Sequence, residues 1–135
     1  MTATVQTHPL ISIRPEATVQ EAAQLMNDFS IAALGLLNAE KRFFGILTER
    51  DITAFVSQGK DSTTSLVGDI ANDFPVVVQG PLSVVDAIDR MRSAHIRHLI
   101  VQEDGECRIV SMRDFLAPPQ LDEHADDYEI ERKRR

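Results

Sequence analysis

The sequence predicts a mixed α/β (α+β) protein built from two successive β-α-β-β-α repeats. Three observations predict it. The stretch Gly45-Ile46-Leu47-Thr48-Glu49-Arg50-Asp51 is an apolar run that ends in a hydroxyl, followed within one turn by a cation and a carboxylate. Sixty-three positions later Arg108-Ile109-Val110-Ser111-Met112-Arg113-Asp114 does the same. The apolar spacing Val19, Ala22, Ala23, Met26 recurs as Val84, Ala87, Ile88, Met91 at an offset of 65. Agreement in order, phase and turn position over this many places marks an internal repeat.

Residues 1–9 form a polar leader, with His8 in a flexible end. Leu10 to Ile13 is a short apolar strand stopped by Arg14-Pro15. Thr18 opens a helix whose positions Val19, Ala22, Ala23, Met26 and Phe29 share one face. Glu21, three residues after Thr18, completes a capping-box pattern. Ile31 to Leu37 is a buried strand, Asn38 to Lys41 a turn, and Phe43 to Leu47 the returning strand. From Glu49 to Gly59 the chain is helical, with Ile52, Phe55 and Val56 on one side. Asp61 to Thr64 is a polar linker, and Ser65 to Ala71 a further short helical turn.

The second copy follows the same order. Val76 to Val78 matches Ile11 to Ile13, Gly80-Pro81 is the stop, and Ser83 with Asp86 opens the helix. Ile96 matches Ile31, and Leu99 to Val101 is a strand. The turn is Glu103 to Glu106, and the whole connection between the two strands is two residues shorter than in the first copy, which accounts for the fall in offset. A short last helix ends at Pro118-Pro119. The organisation is therefore 1–64 for repeat 1 with its leader, 65–117 for repeat 2 with a preceding short linker helix, and 118–135 for a charged tail. In the tail, Leu121, Ala125 and Tyr128 keep a thin helical stripe, and a solvated, frayed segment is the competing reading.

Composition narrows the function classes. The chain has 135 residues, 43% hydrophobic and 26% charged, with a net charge of −7 and 5% aromatic. That balance speaks against a general nucleic-acid or anionic-membrane binder. A small anion can still bind in a locally basic pocket. The one cysteine, Cys107, allows no intramolecular disulfide and reads as an inert thiol on a hairpin. Met1 to Pro9 has no secretory-signal pattern, and no apolar run approaches the roughly 18 residues of a spanning helix. These features predict a cytoplasmic protein. His95 and His98, with Cys107 downstream, lack a fourth ligand and the usual metal spacing, so no metal is expected. No Walker, nucleophile-elbow or dinucleotide glycine pattern is present, and nothing pairs a nucleophile with a base, so no enzyme is expected.

The repeated helix patterns, the strand entry Ile96-Arg97-His98-Leu99 and the two [Ser/Thr]-x-x-Asp corners resemble a tandem CBS-domain pair over residues 8–117, with no catalytic domain attached. The resemblance implies two repeats packed about a pseudo-two-fold axis with two equivalent clefts between them. It implies a regulatory module that binds an adenosine-containing ligand: AMP, ADP or ATP, with S-adenosylmethionine or NAD possible. It also implies a homodimer, and a partner that reads a ligand-driven change of conformation.

On that reading each residue has a chemical role. A ribose offers a cis-diol, and the carboxylates of Asp51 and Asp114 can accept both hydroxyls. Thr48 and Ser111 stand at strand-to-helix corners, and Arg50 and Arg113 supply charge for a phosphate. Arg97 and His98 match the position where related CBS pairs place basic residues against phosphate. Ile11, Ile13, Val76 and Val78 are expected as apolar walls for adenine. A competing reading stands for the corners themselves: Thr48 with Asp51, and Ser111 with Asp114, also fit helix caps. The copies differ as well. Ala32-Ala33 stands where the second copy has Arg97-His98, and Gly45 stands where it has Arg108, so one cleft is expected to be poor without the sequence saying which. A ligand-free dimerisation or protein-interaction module is the alternative function.

Overall fold

A computed structural model describes residues 3–72 and 75–115 of the chain. The readings placed on Pro118-Pro119 and the 118–135 tail lie outside these residues. Two sheets carry the fold. One has three strands in the order β2 (Ser12–Ile13), β3 (Ala33–Leu37), β4 (Phe43–Thr48). The other has four, in the order β1 (His8–Pro9), β7 (Glu106–Ser111), β6 (His98–Glu103), β5 (Val77–Gln79). In each, a first strand runs parallel to the next, a helix forms the crossover, and a hairpin returns the chain. The crossovers are α1 (Val19–Phe29) and α3 (Val84–Ala94). The first copy ends in α2 (Glu49–Ser57), and the last element of the second among the described residues is a 3₁₀ turn, Met112–Phe115. This is the predicted pair of repeats.

Local chemistry explains the elements. The Glu21 N–H donates to Thr18 Oγ1 at 3.1 Å, and the Thr18 N–H donates to the Glu21 carboxylate at 3.3 Å, closing the capping box of α1. The Asp86 N–H donates to Ser83 Oγ at 3.1 Å to start α3. The second hairpin turns on Asp104 and Gly105, with φ of 51° and 78°, the left-handed pair that suits a two-residue turn. The first, longer turn is held by Asn38 Oδ1, which accepts the N–H groups of Glu40 and Arg42 at 2.9 and 3.0 Å. Each half has its own core. Leu34, Leu36, Leu47 and Val67 lie against α1 in one; Leu99, Val101, Val110 and Met91 fill the other. Each such fully buried aliphatic side chain contributes about 1.5–3 kcal/mol by leaving water.

The leader is the main correction. It is not a polar extension, and His8 is not in a flexible end. Val5 is buried in the core of the second half, its N–H donates to the Leu82 carbonyl at 2.8 Å, and the Val84 N–H donates to the Ala3 carbonyl at 2.9 Å. His8 and Pro9 then pair with Ile109 and Arg108 at the edge of the second sheet. The interrepeat linker mirrors this on the first half. Val67 is buried there, its N–H donates to the Ala17 carbonyl, and the Val19 N–H donates to the Ser65 carbonyl, both at 2.9 Å. Asn72 and Ile46 then exchange both backbone hydrogen bonds at 2.9 Å. Each copy's leading segment thus packs on the other copy. The expected helical turn in Ser65–Ala71 is present as a single 3₁₀ turn, Val67–Asp69.

Between the halves lies a third, smaller apolar cluster. Ala33, Ile46 and Ile100 form it, with Leu10, Cys107 and Ile109 packed alongside. These residues come from both sheets. On the repeat offsets, Ile46 and Ile109 are counterparts, so the junction itself has the internal symmetry that creates two clefts.

Candidate functional site

The chain turns the same corner twice. At the end of β4, the Thr48 N–H and hydroxyl both donate to Asp51 Oδ2, at 2.8 and 3.1 Å. At the end of β7, the Ser111 N–H donates to Asp114 Oδ2 at 2.8 Å. Both carboxylates therefore serve the backbone, as the capping reading of these corners expects. At Asp51 one oxygen remains: Oδ1 has no protein partner among the described residues. A carboxylate can cap with one oxygen and accept ligand hydroxyls with the other, so the capping role does not exclude a binding role.

A cavity of about 470 Å³ opens beside the first corner, within the roughly 300–1,000 Å³ typical of small-molecule sites. The first half contributes Ile46, Thr48, Glu49, Arg50, Asp51 and Thr53. The linker adds Asn72, Pro75 and Val76, and the second half brings His95, Ile96, Arg97, His98 and Ile100. Residues some fifty positions apart meet here because the sheets pack face to face through Ile46 and Ile100. Two guanidinium groups, Arg50 and Arg97, and two carboxylates, Glu49 and Asp51, share the rim. Glu49 also lies 3.8 Å from Arg113 of the other half, a largely exposed pair that contributes little to stability.

The second corner faces its own cavity, of about 260 Å³. Ser30, Ile31, Ala32, Ala33, Ile109, Ser111, Arg113 and Asp114 line it, with His8, Pro9 and His98. Nearly all have a counterpart in the larger cavity, so the two are symmetry mates within one chain. They are unequal. Ala32 and Ala33 stand where the larger cavity has Arg97 and His98, and His8 Nε2 lies 3.1 Å from Asp114 Oδ1. A third concavity, of about 490 Å³, is neither of these. It is an open groove on the outer surface between α1 and α2, with Glu49 and Arg113 at its end.

Of the expected site residues, the structure gathers Thr48, Arg50, Asp51, Val76, Arg97 and His98 around the larger cavity, and Ser111, Arg113 and Asp114 around the smaller. His98 lines both. The expected adenine walls fare differently. Ile11 and Ile13 pack against the first core and Val78 is buried in the second, while Val76 lines the larger cavity. The apolar lining is instead Ile46, Pro75, Val76, Ile96 and Ile100. Pro75 and Ile96 flank expected residues in sequence; Asn72 and His8 carried no sequence signal, because only the crossing of the leading segments puts them there.

His98 is held below its ordinary pKa, first by burial and then by the cations Arg113 and Arg97, against the opposing pull of Glu49 and Asp114. Its imidazole stands at the junction of both cavities. Burial also raises the Cys107 thiol. Among the described residues, no three His, Cys, Asp or Glu side chains come together as a metal-binding group. No helix among them is long and apolar enough to cross a membrane.

The CBS-domain family model matches residues 3–58 and 67–117. The chain belongs to the CBS family. It carries two CBS domains, and CBS domains are non-catalytic regulatory modules. A 17.7 kDa protein encoded in the bps2 3′ region of Acidianus ambivalens is 33% identical over 122 residues, covering 89% of this chain and 73% of that one. Hypoxic response protein 1 of Mycobacterium tuberculosis is 30% identical over 110 residues, covering 80% and 76%. A crystal structure of Hypoxic Response Protein I, with two coordinated zinc ions, superimposes with a TM-score of 0.63 at 27% identity, over 79% of this chain and 89% of that one. The CBS domain protein PAE2072 from Pyrobaculum aerophilum, complexed with AMP, gives a TM-score of 0.73 at 27% identity, over 84% and 88%.

Proposed function

We propose that this CBS pair is a regulatory module that binds an adenine nucleotide, AMP, ADP or ATP, in the larger cavity and signals through a change in how its two halves pack. The observation that carries the reading is the joining of Thr48, Arg50 and Asp51 from one half with Val76, Arg97 and His98 from the other around one space of about 470 Å³. Asp51 Oδ1 accepts the ribose hydroxyls. Arg97, His98 and Arg50 meet the phosphate. Adenine takes the apolar end at Ile46, Pro75, Val76, Ile96 and Ile100. A ligand that touches both halves favours the arrangement in which it touches both, in proportion to its differential affinity. The AMP complex of the Pyrobaculum protein supports the ligand class, and S-adenosylmethionine and NAD share the adenosine moiety.

Ser111, Arg113 and Asp114 belong to the second, smaller cleft, built around the equivalent corner. Self-association through the outer face is part of the proposal: Phe29 on α1 and Val56 on α2, the helices that line the open groove, are 57% and 66% exposed. A cytoplasmic setting, with its reduced Cys107, fits a nucleotide sensor. Calorimetric titration of the purified protein with AMP, ADP, ATP, NAD and S-adenosylmethionine tests the reading. Saturable heat with at least one of the three adenine nucleotides is expected. Silence with all five at millimolar concentration would leave the chain as a ligand-free interaction module.

A further inference from the structure

The two clefts are built alike, yet in one a side chain of the same chain takes the carboxylate. The Ile46–Asn72 backbone pair on the first sheet and the Ile109–His8 pair on the second are equivalent, so His8 occupies the place that Asn72 holds in the open cleft. Its imidazole reaches Asp114 Oδ1 at 3.1 Å, while Oδ2 of the same carboxylate takes the Ser111 N–H at 2.8 Å. Both oxygens of Asp114 are engaged. Asp51, its counterpart, keeps Oδ1 open to the cavity.

A second difference holds His8 in place. Where the first copy has Gly45, the second has Arg108. Its Nε–H donates to Thr7 Oγ1 at 2.7 Å and its Nη2 to the Thr7 carbonyl at 3.1 Å. The guanidinium therefore clamps the residue immediately before His8 onto the edge of β7. Pairing of Pro9 with Arg108 fixes the other side. The imidazole is thus presented to Asp114 by a strand tied at two points.

We propose that His8 is an intramolecular occupant of the second cleft: it takes the carboxylate that would otherwise receive a ribose, and it limits this chain to one adenosine-type ligand. The assignment rests on the ligand class proposed above. Ligand selectivity between the clefts then follows from the chain itself. Arg108 holds the N-terminal segment, the segment delivers His8, and His8 takes the carboxylate of a cleft that already has Ala32 and Ala33 at the positions equivalent to Arg97 and His98.

The test is calorimetric titration with AMP and with adenosine of the wild type, His8→Asn, which copies the open cleft, and His8→Ala. The wild type is expected to take one ligand per chain, and both variants two, the second site showing less preference for AMP over adenosine. Two ligands on the wild type, or one on both variants, would overturn the assignment while leaving the ligand class intact. No heat from any protein with either compound would remove the ligand class and this assignment together. Ring NMR of the wild-type histidines gives a readout that needs no variant: saturating AMP is expected to move the His98 signals and leave those of His8 in place. Movement of the His8 signals comparable to His98 overturns the proposal.

Discussion

Asp51 holds Thr48 through a single oxygen. The backbone N–H and the hydroxyl of Thr48 both converge on Oδ2, at 2.8 and 3.1 Å. One side chain thus starts α2 and presents an acceptor to the cavity, so a plain deletion confounds two losses. Asp51→Ala is expected to cost about 1 kcal/mol of stability with the lost cap, and also to abolish detectable nucleotide binding. Asp51→Asn separates the two. Its amide oxygen can still accept from Thr48, so stability stays within about 0.5 kcal/mol of the wild type, while affinity falls at least about tenfold with the lost charge-assisted bonds to the ribose. Urea denaturation read alongside calorimetry checks both; an Asn variant that binds AMP as the wild type does removes Asp51 from the site.

Arg97 stands on the opposite half and has no cap to maintain. It is exposed and takes part in none of the ion pairs found among the described residues. Arg97→Ala is therefore expected to leave the unfolding midpoint unchanged and to weaken AMP by about tenfold or more, as loss of a charged hydrogen bond does. Adenosine, which carries no phosphate, should bind both proteins equally. An equal loss for adenosine and AMP would place Arg97 against the base or sugar instead.

The repeat was plain in the sequence because buried faces impose period and order: Val19, Ala22 and Met26 had to recur as Val84, Ala87 and Met91. The corner residues were plain for the same reason. What pattern could not supply was crossing. Val5 and His8 sit in a stretch too short for any period, and their partners Leu82, Ile109 and Asp114 lie far along the chain. The apolar residues expected beside a ligand show a related limit. An apolar residue such as Ile13 or Val78 looks the same in sequence whether it faces a cleft or a core, and the fold packs both into the cores. The inequality of the clefts was visible at Ala32-Ala33 and at Gly45 against Arg108; which cleft it closed depended on where the leader went.

His98 links pH to both folding and binding. Its pKa is lowered in the folded protein, mainly by burial, so the unfolded chain takes up the proton first. Stability is full above the ordinary histidine value of about 6.5, falls as the pH drops through it, and levels off below the folded-state value. His98→Gln should flatten that slope. A bound phosphate acts oppositely on the folded protein, favouring the imidazolium, so AMP binding is expected to take up a proton. Titrations at about pH 7 in buffers of different ionisation enthalpy measure this uptake directly. Equal apparent enthalpy in every buffer would show that the phosphate lies away from His98.

Gly45 marks the crossing of the linker, and its role is steric. A Cβ there would stand 2.9 Å from the Asn72 carbonyl oxygen, a backbone atom held by its own pair with Ile46. Backbone cannot yield as a side-chain tip can, so Gly45→Ala is expected to destabilise by about 1–3 kcal/mol, as overpacking does. Because Asn72 and Ile46 both line the larger cavity, the same change should also weaken AMP. Gly105→Ala is the matching control. Its site has open space around it but a φ of 78°, so it is expected to cost about 1 kcal/mol and to leave binding untouched. Chemical denaturation of both variants, followed by AMP titration at a temperature where each is folded, distinguishes the mechanisms. A Gly45→Ala protein as stable as the wild type would mean that the linker does not lie against β4, and the larger cavity would then lose the wall formed by Asn72, Pro75 and Val76.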